Sequence, residues 1–366
     1  MGTQEFSVQT YLSLTEAECH DRIVAAKTAL GKRLVILGHH YQRETIFKQA
    51  DYTGDSLKLA RQAAHSGAQY IVFCGVHFMA EVADILSNAE QVAILPDLTA
   101  GCSMADMADL ESVEHVWQEL STLLAVEQAV LPVTYINSAA DLKAFCGRHG
   151  GIVCTSGNAP QVLTWAFAQR EKVLFFPDEH LGRNTAYQMG ISPTEMVVWD
   201  VSQPQGGLSK AQILNAKIIL WQGFCSVHQT FQVQDIENFR AQYPDTKVIA
   251  HPECTFDVCQ QADEVGSTEF IIKTIKASPK GTRWLVGTEW NLVNRLAEIY
   301  RAEDKYIHYM SPLVCQCSTM FRIDPQHLLW ILENLVQDQV MNQITVAPAL
   351  AESARVALQR MLDISI

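Results

Sequence analysis

The strongest constraint on the fold of this chain is a succession of apolar and helical segments that occurs three times along its length. Each occurrence opens with a short β-branched run, and the three runs end at His39, Asn137 and His251. After 17, 19 and 16 residues, a hydroxyl residue precedes a helical segment, at Ser56, Ser156 and Ser267. Strand-like runs that alternate with helices are typical of repeated βα units over parallel sheets.

Two further apolar runs complete each unit. The second runs lie 36, 40 and 36 residues after the first and end at Gly75, Pro177 and Gly287. The third runs lie 63, 88 and 66 residues after the first and end at Cys102, Cys225 and Cys317. The longer middle spacing coincides with the stretch SPTEMVVWDVSQPQGGLSK, which we interpret as an inserted loop. The recurrent cysteine predicts an internal triplication, with about one hundred residues in each unit.

We therefore predict an α/β fold, a pseudo-threefold repeat of three α/β/α modules with parallel sheets around a central active site. The predicted domains are an N-terminal helical segment, 1–30, and three modules, 31–127, 128–233 and 234–366, the last with C-terminal helices. In open α/β sheets, ligands bind beyond the carboxyl ends of the strands. The polar residues above all fall at such ends, so a common pocket would receive one cysteine from each module.

Charge and composition argue against several classes of protein. A formal net charge of −13 disfavours a nucleic-acid-binding surface. No apolar run approaches the roughly 20 residues that span a bilayer, and the start MGTQEFSVQTYLSLTEAE lacks both the basic and the apolar region of a signal peptide. We expect a cytoplasmic protein without membrane or nucleic-acid partners. In a reducing compartment, cysteines outside the core serve metals or catalysis more often than disulfides.

Three thiolates from three modules would form a site that exists only in the folded chain. Soft thiolate ligands select iron–sulfur clusters, zinc or copper(I). Three protein ligands leave a fourth position open for water or substrate, as expected of a catalytic metal. The spacing of these cysteines matches neither the local patterns of zinc fingers and ferredoxins nor the CxxxCxxC run of radical enzymes. Spacing alone therefore does not separate zinc from an iron–sulfur cluster.

Twelve motifs, in this order, span essentially the whole chain: LGHHYQR, DYTGDSLKLA, FCGVHFMAEVADIL, PDLTAGCSMAD, TYINSAADLKAF, CTSGNA, LFFPDEHLGRN, GFCSVH, AHPEC, ADEVGSTEF, VGTEWNLVNRL and CSTMFRI. In these motifs the chain resembles the quinolinate synthase family, the A protein of bacterial NAD biosynthesis. The resemblance implies a pseudo-threefold α/β fold with a 4Fe-4S cluster on three cysteines, one per domain. It also implies condensation of iminoaspartate (iminosuccinate) with dihydroxyacetone phosphate to quinolinate, with release of phosphate and water.

The resemblance also implies which cysteines bind the cluster. The family's ligands lie in the motifs GCSMAD, GxCxxH and CxxM, which here contain Cys102, Cys225 and Cys317. The iron without a protein ligand would act as a Lewis acid. Cys315 lies two residues before Cys317, and the repeat alone does not choose between them; the CxxM motif does. On a strand the two thiols would share a face, which leaves Cys315 as a substitute ligand or a disulfide partner.

Four residues are expected to do acid–base chemistry. Glu253 in the motif HPEC resembles the family's active-site glutamate and would be the general base, with a raised pKa. The alternative is a carboxylate placed at a helix N-terminus on dipole grounds alone. Tyr41 and Tyr135 resemble two tyrosines that transfer protons during isomerisation and cyclisation. The spacing of His228 after Cys225 would suit zinc, but the resemblance implies a pocket residue that binds no metal.

The substrates of such an enzyme are anions, and the resemblance implies residues that hold them. The phosphate side of the triose would be held by Ser56, Asn137 and Ser156. The carboxylates would be held by His39, His251, Ser267 and Thr268. The serines have a structural alternative as helix N-caps, although helix N-termini also bind anions. Glu81 and Glu289 also follow strands and are expected near the site.

Two other functions remain possible from the residues alone. A non-catalytic iron–sulfur redox or iron sensor would keep the three cysteines but would have no use for Glu253, the tyrosines and the serines. A zinc hydrolase or lyase would use the same three thiolates. If the chain is a quinolinate synthase, its iminoaspartate would be supplied by an L-aspartate oxidase or dehydrogenase that is functionally coupled to it.

Overall fold

The computed structural model describes residues 7–364, so residues 1–6 of the predicted N-terminal segment lie outside the described part. The strands, in chain order, are β1 Leu34–His39, β2 Tyr52–Gly54, β3 Tyr70–Cys74, β4 Val92–Ile94, β5 Val130–Tyr135, β6 Ile152–Cys154, β7 Lys172–Phe176, β8 Met196–Trp199, β9 Ile218–Trp221, β10 Lys247–Ala250, β11 Glu264–Val265, β12 Arg283–Gly287, β13 Tyr306–Tyr309 and β14 Gln343–Ile344. These strands form three sheets.

The helices, in chain order, are α1 Glu16–Leu30, α2 Glu44–Phe47, α3 Ser56–His65, α4 His77–Leu86, α5 Leu110–Ser121, α6 Val126–Ala129, α7 Ala140–Arg148, α8 Ala159–Gln169, α9 Glu179–Gln188, α10 Lys210–Asn215, α11 Val233–Gln242, α12 Phe256–Gln261, α13 Thr268–Ala277, α14 Trp290–Arg301, α15 Pro325–Val336 and α16 Pro348–Ile364. Across residues 7–364, none of the helices combines the length and the apolar character that a membrane span needs.

The three sheets repeat one strand order. In each, the first strand of the unit lies between the second and the third, and the fourth lies beyond the third: β4-β3-β1-β2, β9-β7-β5-β6 and β13-β12-β10-β11. These neighbours are all parallel. Strand β8 extends the second sheet beyond β9, and β14 pairs antiparallel with β4. The prediction of an α/β fold with a threefold repeat and parallel sheets is thus confirmed.

The predicted runs correspond to nine of these strands: β1, β3, β4, β5, β7, β9, β10, β12 and β13. The sequence prediction missed the short edge strands β2, β6 and β11 and the two additions β8 and β14, because two to four residues carry little periodic signal. It was also wrong to extend the third run of each unit to its cysteine. The last strands end 8, 4 and 8 residues earlier, so Cys102, Cys225 and Cys317 lie in loops. The expectation that Cys315 and Cys317 share a strand face therefore fails.

The described residues divide into two compact units, 7–102 with 316–346 and 103–315 with 347–364. In the first unit, helix α1 packs along α15 beside the first sheet. The Arg22 guanidinium binds both carboxylate oxygens of Glu333 at 2.8 and 2.6 Å, and the Tyr11 hydroxyl donates to the same carboxylate at 2.8 Å. These contacts attach the N-terminal helix to its unit.

In the second unit, which holds the second and third sheets, the long helix α16 packs against α7 and β6. Small residues allow the close approach, since Ala354 and Ala357 of α16 are completely buried. At Gly147 of α7, an added Cβ would lie 1.9 Å from the backbone oxygen of Ser353. A backbone atom cannot rotate away as a side chain can, so this contact requires glycine.

This contact predicts that the substitution Gly147→Ala destabilises the protein. At an ordinary helical position, alanine would be favoured over glycine by about 1 kcal/mol. Here the new Cβ would displace α16, so we expect the substitution to lower the free energy of unfolding by about 1–3 kcal/mol instead. The midpoint of urea unfolding measures the effect. The control is Gly67→Ala, whose new Cβ meets nothing within 4 Å. A Gly147→Ala midpoint at or above that of the wild type would contradict the packing described.

Candidate active site

The carboxyl ends of the second and third sheets bring several predicted residues together within the second unit. Tyr135 is the last residue of β5, His228 lies in the loop after β9, and the loop after β10 carries His251 and Glu253. Parallel strands present their carboxyl ends at one edge of a sheet, which is where α/β proteins bind ligands. All four side chains are nevertheless buried.

The centre of this cluster is the carboxylate of Glu253, which is 4% exposed. The Tyr135 hydroxyl donates a hydrogen bond to its Oε1 at 2.5 Å. Nδ1 of His228 lies 2.9 Å from its Oε2, at ion-pair distance but without the alignment of a linear hydrogen bond. On its other side, the His228 ring places Nε2 3.4 Å from the Thr288 hydroxyl.

The second histidine, His251, fixes the backbone of the same loop. The backbone N–H of Glu253 donates to His251 Nδ1 at 3.3 Å, and His251 Nε2 lies 3.2 Å from the Ser156 hydroxyl oxygen. Burial lowers the pKa of His251 to about 3, so the ring is neutral. Because Nδ1 accepts a hydrogen bond, the proton is on Nε2 and is donated to Ser156. The His251 ring stacks on His228 with centroids 4.8 Å apart.

The environment of Glu253 contradicts the expected rise in its pKa. Burial on its own would raise the pKa, but the close approach of the His228 ring and the hydrogen bond from Tyr135 outweigh burial and lower the pKa to about 2. Glu253 is therefore ionised at neutral pH. The sequence prediction considered burial at a strand end but not the number of donors that converge on the carboxylate.

The raised pKa belongs to a second carboxyl group, that of Asp178, which the sequence did not lead us to predict as a site residue. Asp178 follows β7 in the motif PDEH and is completely buried. Burial, and then the negative charge of Glu253, raise its pKa well above the usual value. Its Oδ1 accepts the Leu181 N–H at 2.8 Å, which caps helix α9, whereas its Oδ2 has no hydrogen-bond partner in residues 7–364. Its position directly after a strand, where the other site residues were predicted, could have identified Asp178.

The loop after β5 is held by a buried lysine. Lys143 is completely buried and its Nζ donates to the carbonyl oxygen of Ser138. The Ser138 hydroxyl in turn donates to the carbonyl oxygen of Tyr135 at 2.7 Å. Between them lies Asn137, whose side-chain oxygen is buried and has no hydrogen-bond partner within the described residues. An unpaired buried oxygen of this kind is suited to a ligand that brings its own donor.

The predicted serines differ in their local roles. Ser267 caps helix α13, because its hydroxyl oxygen accepts the Phe270 N–H at 3.3 Å, and Thr268 is the first residue of that helix. Ser56 is not a cap: Asp55 occupies that position and accepts the Lys58 N–H at 3.0 Å. Helix α8 begins after Asn158, so Ser156 lies in the turn before the helix. The N-cap alternative therefore holds only for Ser267.

The first unit contains the remaining residues that were predicted to do acid–base chemistry or to bind substrate: His39, Tyr41 and Ser56. The Tyr41 N–H donates to Nδ1 of His39 at 3.2 Å, and the two rings meet edge to face with centroids 4.7 Å apart. Ser56 begins α3 in the same unit. Glu81 lies on α4, where its Oε1 is 3.7 Å from His77 Nδ1, and in the second unit Glu289 caps α14.

All ten cysteines lie in the described residues, and none of them forms a disulfide bond there. Six are buried: Cys19, Cys74, Cys146, Cys154, Cys254 and Cys259. Burial raises the pKa of each of these thiols, for example of Cys74 to about 12. Since the thiolate is the form that binds metals, these six are poor ligands. The partly exposed thiols are Cys102, Cys225, Cys315 and Cys317, so the three predicted ligands are all accessible.

Two local contacts distinguish these accessible thiols. The sulfur of Cys225, a ring nitrogen of His228 and a carboxylate oxygen of Glu253 all lie within 4.8 Å of one another, in an arrangement that is able to bind a metal ion. Sγ of Cys317 lies 3.4 Å from the Thr319 hydroxyl. Burial, and then the charge of Glu289, raise the pKa of Cys315.

Fold and site together define an α/β protein that has a buried cluster of ionisable side chains at its strand ends and partly exposed thiols in the loops after its strands. The family model of the quinolinate synthetase A protein matches residues 21–363. Curated quinolinate synthases are similar over nearly the whole chain. That of Acidobacterium capsulatum is 52% identical over 358 residues, 98% of this chain and 96% of its own length.

Two further relatives show the same extent of similarity. The quinolinate synthase of Herpetosiphon aurantiacus is 52% identical over 367 residues, 100% of this chain and 97% of its own length. That of a Nocardioides species is 55% identical over 350 residues, 93% of this chain and 88% of its own length. The chain belongs to the quinolinate synthetase A protein family.

The burial of the thiols predicts their order of alkylation. In metal-free protein, brief treatment with iodoacetamide followed by mass spectrometry is expected to label Cys102, Cys225 and Cys317 first, Cys315 more slowly and the six buried cysteines hardly at all. In metal-loaded protein, the ligand thiols are protected. Labelling of Cys315 but not Cys317 then identifies Cys317 as the ligand. Labelling of Cys317 with protection of Cys315 would reverse the assignment.

Serine variants give a matched control for the same pair. Cys317→Ser is expected to lower the iron content of the purified protein strongly, and Cys315→Ser is expected to leave it unchanged. The two variants differ by one thiol in the same loop, so a general loss of folding would affect both. Loss of iron in Cys315→Ser alone would contradict the choice of Cys317.

Proposed function

We propose that this protein is a quinolinate synthase, which condenses iminoaspartate with dihydroxyacetone phosphate to quinolinate and releases phosphate and water, in the synthesis of NAD. The observation that carries the proposal is the match of about half of all residues, over nearly the full length, to curated quinolinate synthases. The buried acid–base cluster supports it, because such a condensation requires proton transfers that are protected from water.

The proposed cofactor is a 4Fe-4S cluster held by Cys102, Cys225 and Cys317. The support is the chemistry of the donors: each is a partly exposed thiol, and each lies in the loop that follows the last strand of a repeated unit. When bound, such a cluster supplies an iron that polarises substrate oxygen as a Lewis acid. The loop of Cys225 also carries His228, so one loop supplies both a metal-binding thiol and a neighbour of Glu253.

Glu253 is the proposed proton acceptor, with Tyr135 and His228 as its proton-transfer partners. The carboxylate is ionised, and the Tyr135 hydroxyl already donates to it at 2.5 Å. A proton that leaves substrate can therefore move to the carboxylate directly or through the tyrosine. Tyr41, which lies beside His39 in the first unit, is proposed for a separate proton transfer.

The proposed ligands of the anionic substrates are the hydroxyl, amide and imidazole side chains predicted from the sequence. The phosphate side would be held by Ser56, Asn137 and Ser156, and the carboxylates by His39, His251, Ser267 and Thr268. Two observations support this assignment. The oxygen of Ser156 accepts a hydrogen bond from His251 Nε2–H, so its own O–H is directed elsewhere and can donate to an anion. The side-chain oxygen of Asn137 is buried without a partner in the described chain, so it would accept from a hydroxyl of the triose rather than contact its phosphate.

The acid–base cluster also bears on the alternatives. A non-catalytic iron–sulfur sensor needs its thiols but gains nothing from a buried, ionised Glu253, whose desolvation costs stability. A zinc enzyme on the same thiols is tested by metal content. The proposed partners are the two small substrates and, through the supply of iminoaspartate, an L-aspartate oxidase or dehydrogenase. We propose the cytoplasm as the location, in keeping with a biosynthetic enzyme and an oxygen-sensitive cofactor.

An anaerobic assay tests the function. Purified protein, reconstituted with iron and sulfide, is incubated with oxaloacetate, ammonia and dihydroxyacetone phosphate, and quinolinate is quantified by chromatography. Quinolinate is expected from the reconstituted protein and not from metal-free protein. Iron-loaded protein that forms no quinolinate would defeat the proposal, and a colourless active protein with one zinc per chain would replace the proposed cofactor.

The variant Glu253→Gln tests the role of the carboxylate. Glutamine keeps the shape but cannot accept the proton, so we expect unchanged iron content and a loss of kcat of at least about 100-fold. The matched control is Glu237→Gln, an exposed glutamate on helix α11 of the same unit, which is expected to keep full activity. A Glu253→Gln enzyme within threefold of wild-type kcat would remove Glu253 from the mechanism.

A further inference from the structure

Helix α9 carries a buried asparagine that contacts the loop of Glu253. Asn184 is 2% exposed, and its Nδ2 lies 2.9 Å from the carbonyl oxygen of Pro252 and 2.9 Å from that of Cys254. The same nitrogen lies 3.2 Å from Sγ of Cys259. The two carbonyl groups flank Glu253 in the chain, so a single amide group binds the backbone on both sides of that residue.

The asparagine completes a set of anchors on this short loop. The N–H of Glu253 already donates to His251 Nδ1, and the N–H of Cys254 donates to the His251 carbonyl at 2.9 Å. The N–H of His251 donates to the Gly287 carbonyl of the neighbouring strand at 2.9 Å. These bonds use the N–H groups of the loop. Asn184 is a partner of the Pro252 and Cys254 carbonyl groups, of which the second also receives the Cys259 thiol at 3.6 Å; a buried carbonyl without a partner would be unfavourable.

Stability alone does not account for this side chain. The Oδ1 of Asn184 is buried and has no hydrogen-bond partner within residues 7–364. A half-satisfied buried amide is less favourable than an apolar residue of the same size. A role in holding the loop explains why a buried amide lies here.

The geometry points to Asn184 as a positioning residue, which holds Glu253 at the distances that its proton transfer requires. The Glu253 carboxylate meets Tyr135 and His228 at 2.5 and 2.9 Å, and both partners are attached to the second sheet, whereas Glu253 follows the third. Asn184 lies on the helix that follows β7 of the second sheet, and it binds the loop after the third sheet on both sides of Glu253. A displacement of about 1 Å in such a group costs about 100-fold in rate.

The inference rests on the proposed role of Glu253, and its main test is kinetic. The variant Asn184→Leu has a similar shape and no donor. We expect a fall in kcat of about 10- to 100-fold, with KM for dihydroxyacetone phosphate within threefold of wild type and unchanged iron content. Asn184→Gln, which keeps the amide, is expected to recover part of the loss. If Asn184→Leu does not fold, Asn184→Asp replaces it, because aspartate has the same shape but no N–H to donate.

A matched control separates positioning from a general loss of stability. Asn334 on α15 is also a completely buried asparagine: its Nδ2 donates to the Trp330 carbonyl at 2.7 Å, and its Oδ1 has no partner in the described chain. Asn334→Leu is expected to change the thermal midpoint but to leave kcat within twofold of wild type. An equal loss of kcat in Asn334→Leu, or wild-type kcat in a folded Asn184 variant without a donor, would overturn the inference.

A second readout does not depend on activity. Hydrogen exchange followed by mass spectrometry is expected to accelerate in peptides that contain residues 251–255 of Asn184→Leu, and to stay at the wild-type rate there in Asn334→Leu. Unchanged exchange in these peptides would overturn the positioning role even if kcat fell. If the wild-type protein made no quinolinate, the proposed function would fail, while the exchange experiment would still decide whether Asn184 holds this loop.

Discussion

A buried, ionised carboxylate is stable only where hydrogen bonds and opposite charge replace the water that it has lost. Glu253 meets this condition through groups that come from separate strand ends: Tyr135 ends β5, His228 follows β9, and His251 follows β10 as Glu253 itself does. The second and third sheets must therefore keep a fixed relation for the carboxylate to remain charged. The acid–base site depends on the packing of this unit as much as on its own residues.

The same constraint explains how the buried histidines differ in role. His251 accepts an N–H of its own loop and donates to Ser156, so both ring nitrogens are used while the ring is neutral. It therefore orients the loop and Ser156. His228 approaches the carboxylate itself at 2.9 Å. Of the two, His228 is the ring that lies closest to the carboxylate.

Much of the fold was predictable from the sequence, because long β-branched runs at regular spacing determine which segments become central strands. The runs that end near His39, Tyr135 and Ala250 are the first strands of the three sheets. The edge strands were missed because pairing with a neighbour, rather than their own composition, makes them strands. The strand assigned to Cys317 was wrong for a related reason: an apolar run followed by cysteine does not show where backbone pairing stops.

The site was only partly predictable, because pKa values depend on distances that no single sequence shows. Glu253 was identified from its motif, yet the direction of its pKa shift was wrong. The raised value belongs to Asp178, which receives backbone N–H groups only, whereas Glu253 is contacted by a tyrosine and a histidine side chain. The same burial therefore has opposite outcomes: the His228 ring and the Tyr135 hydroxyl offset it at Glu253, whereas the negative charge of Glu253 adds to it at Asp178.

These two carboxyl groups have pKa values that shift in opposite directions, that of Glu253 down and that of Asp178 up. Oδ1 of Asp178 accepts the Leu181 N–H, and Oδ2 is the oxygen that has no hydrogen-bond partner in residues 7–364. The negative charge of Glu253 adds to burial in raising the pKa of Asp178. Asp178 caps helix α9, and Asn184 of the same helix binds the backbone on both sides of Glu253. Helix α9 thus begins at one of these two carboxyl groups and contacts the loop that carries the other.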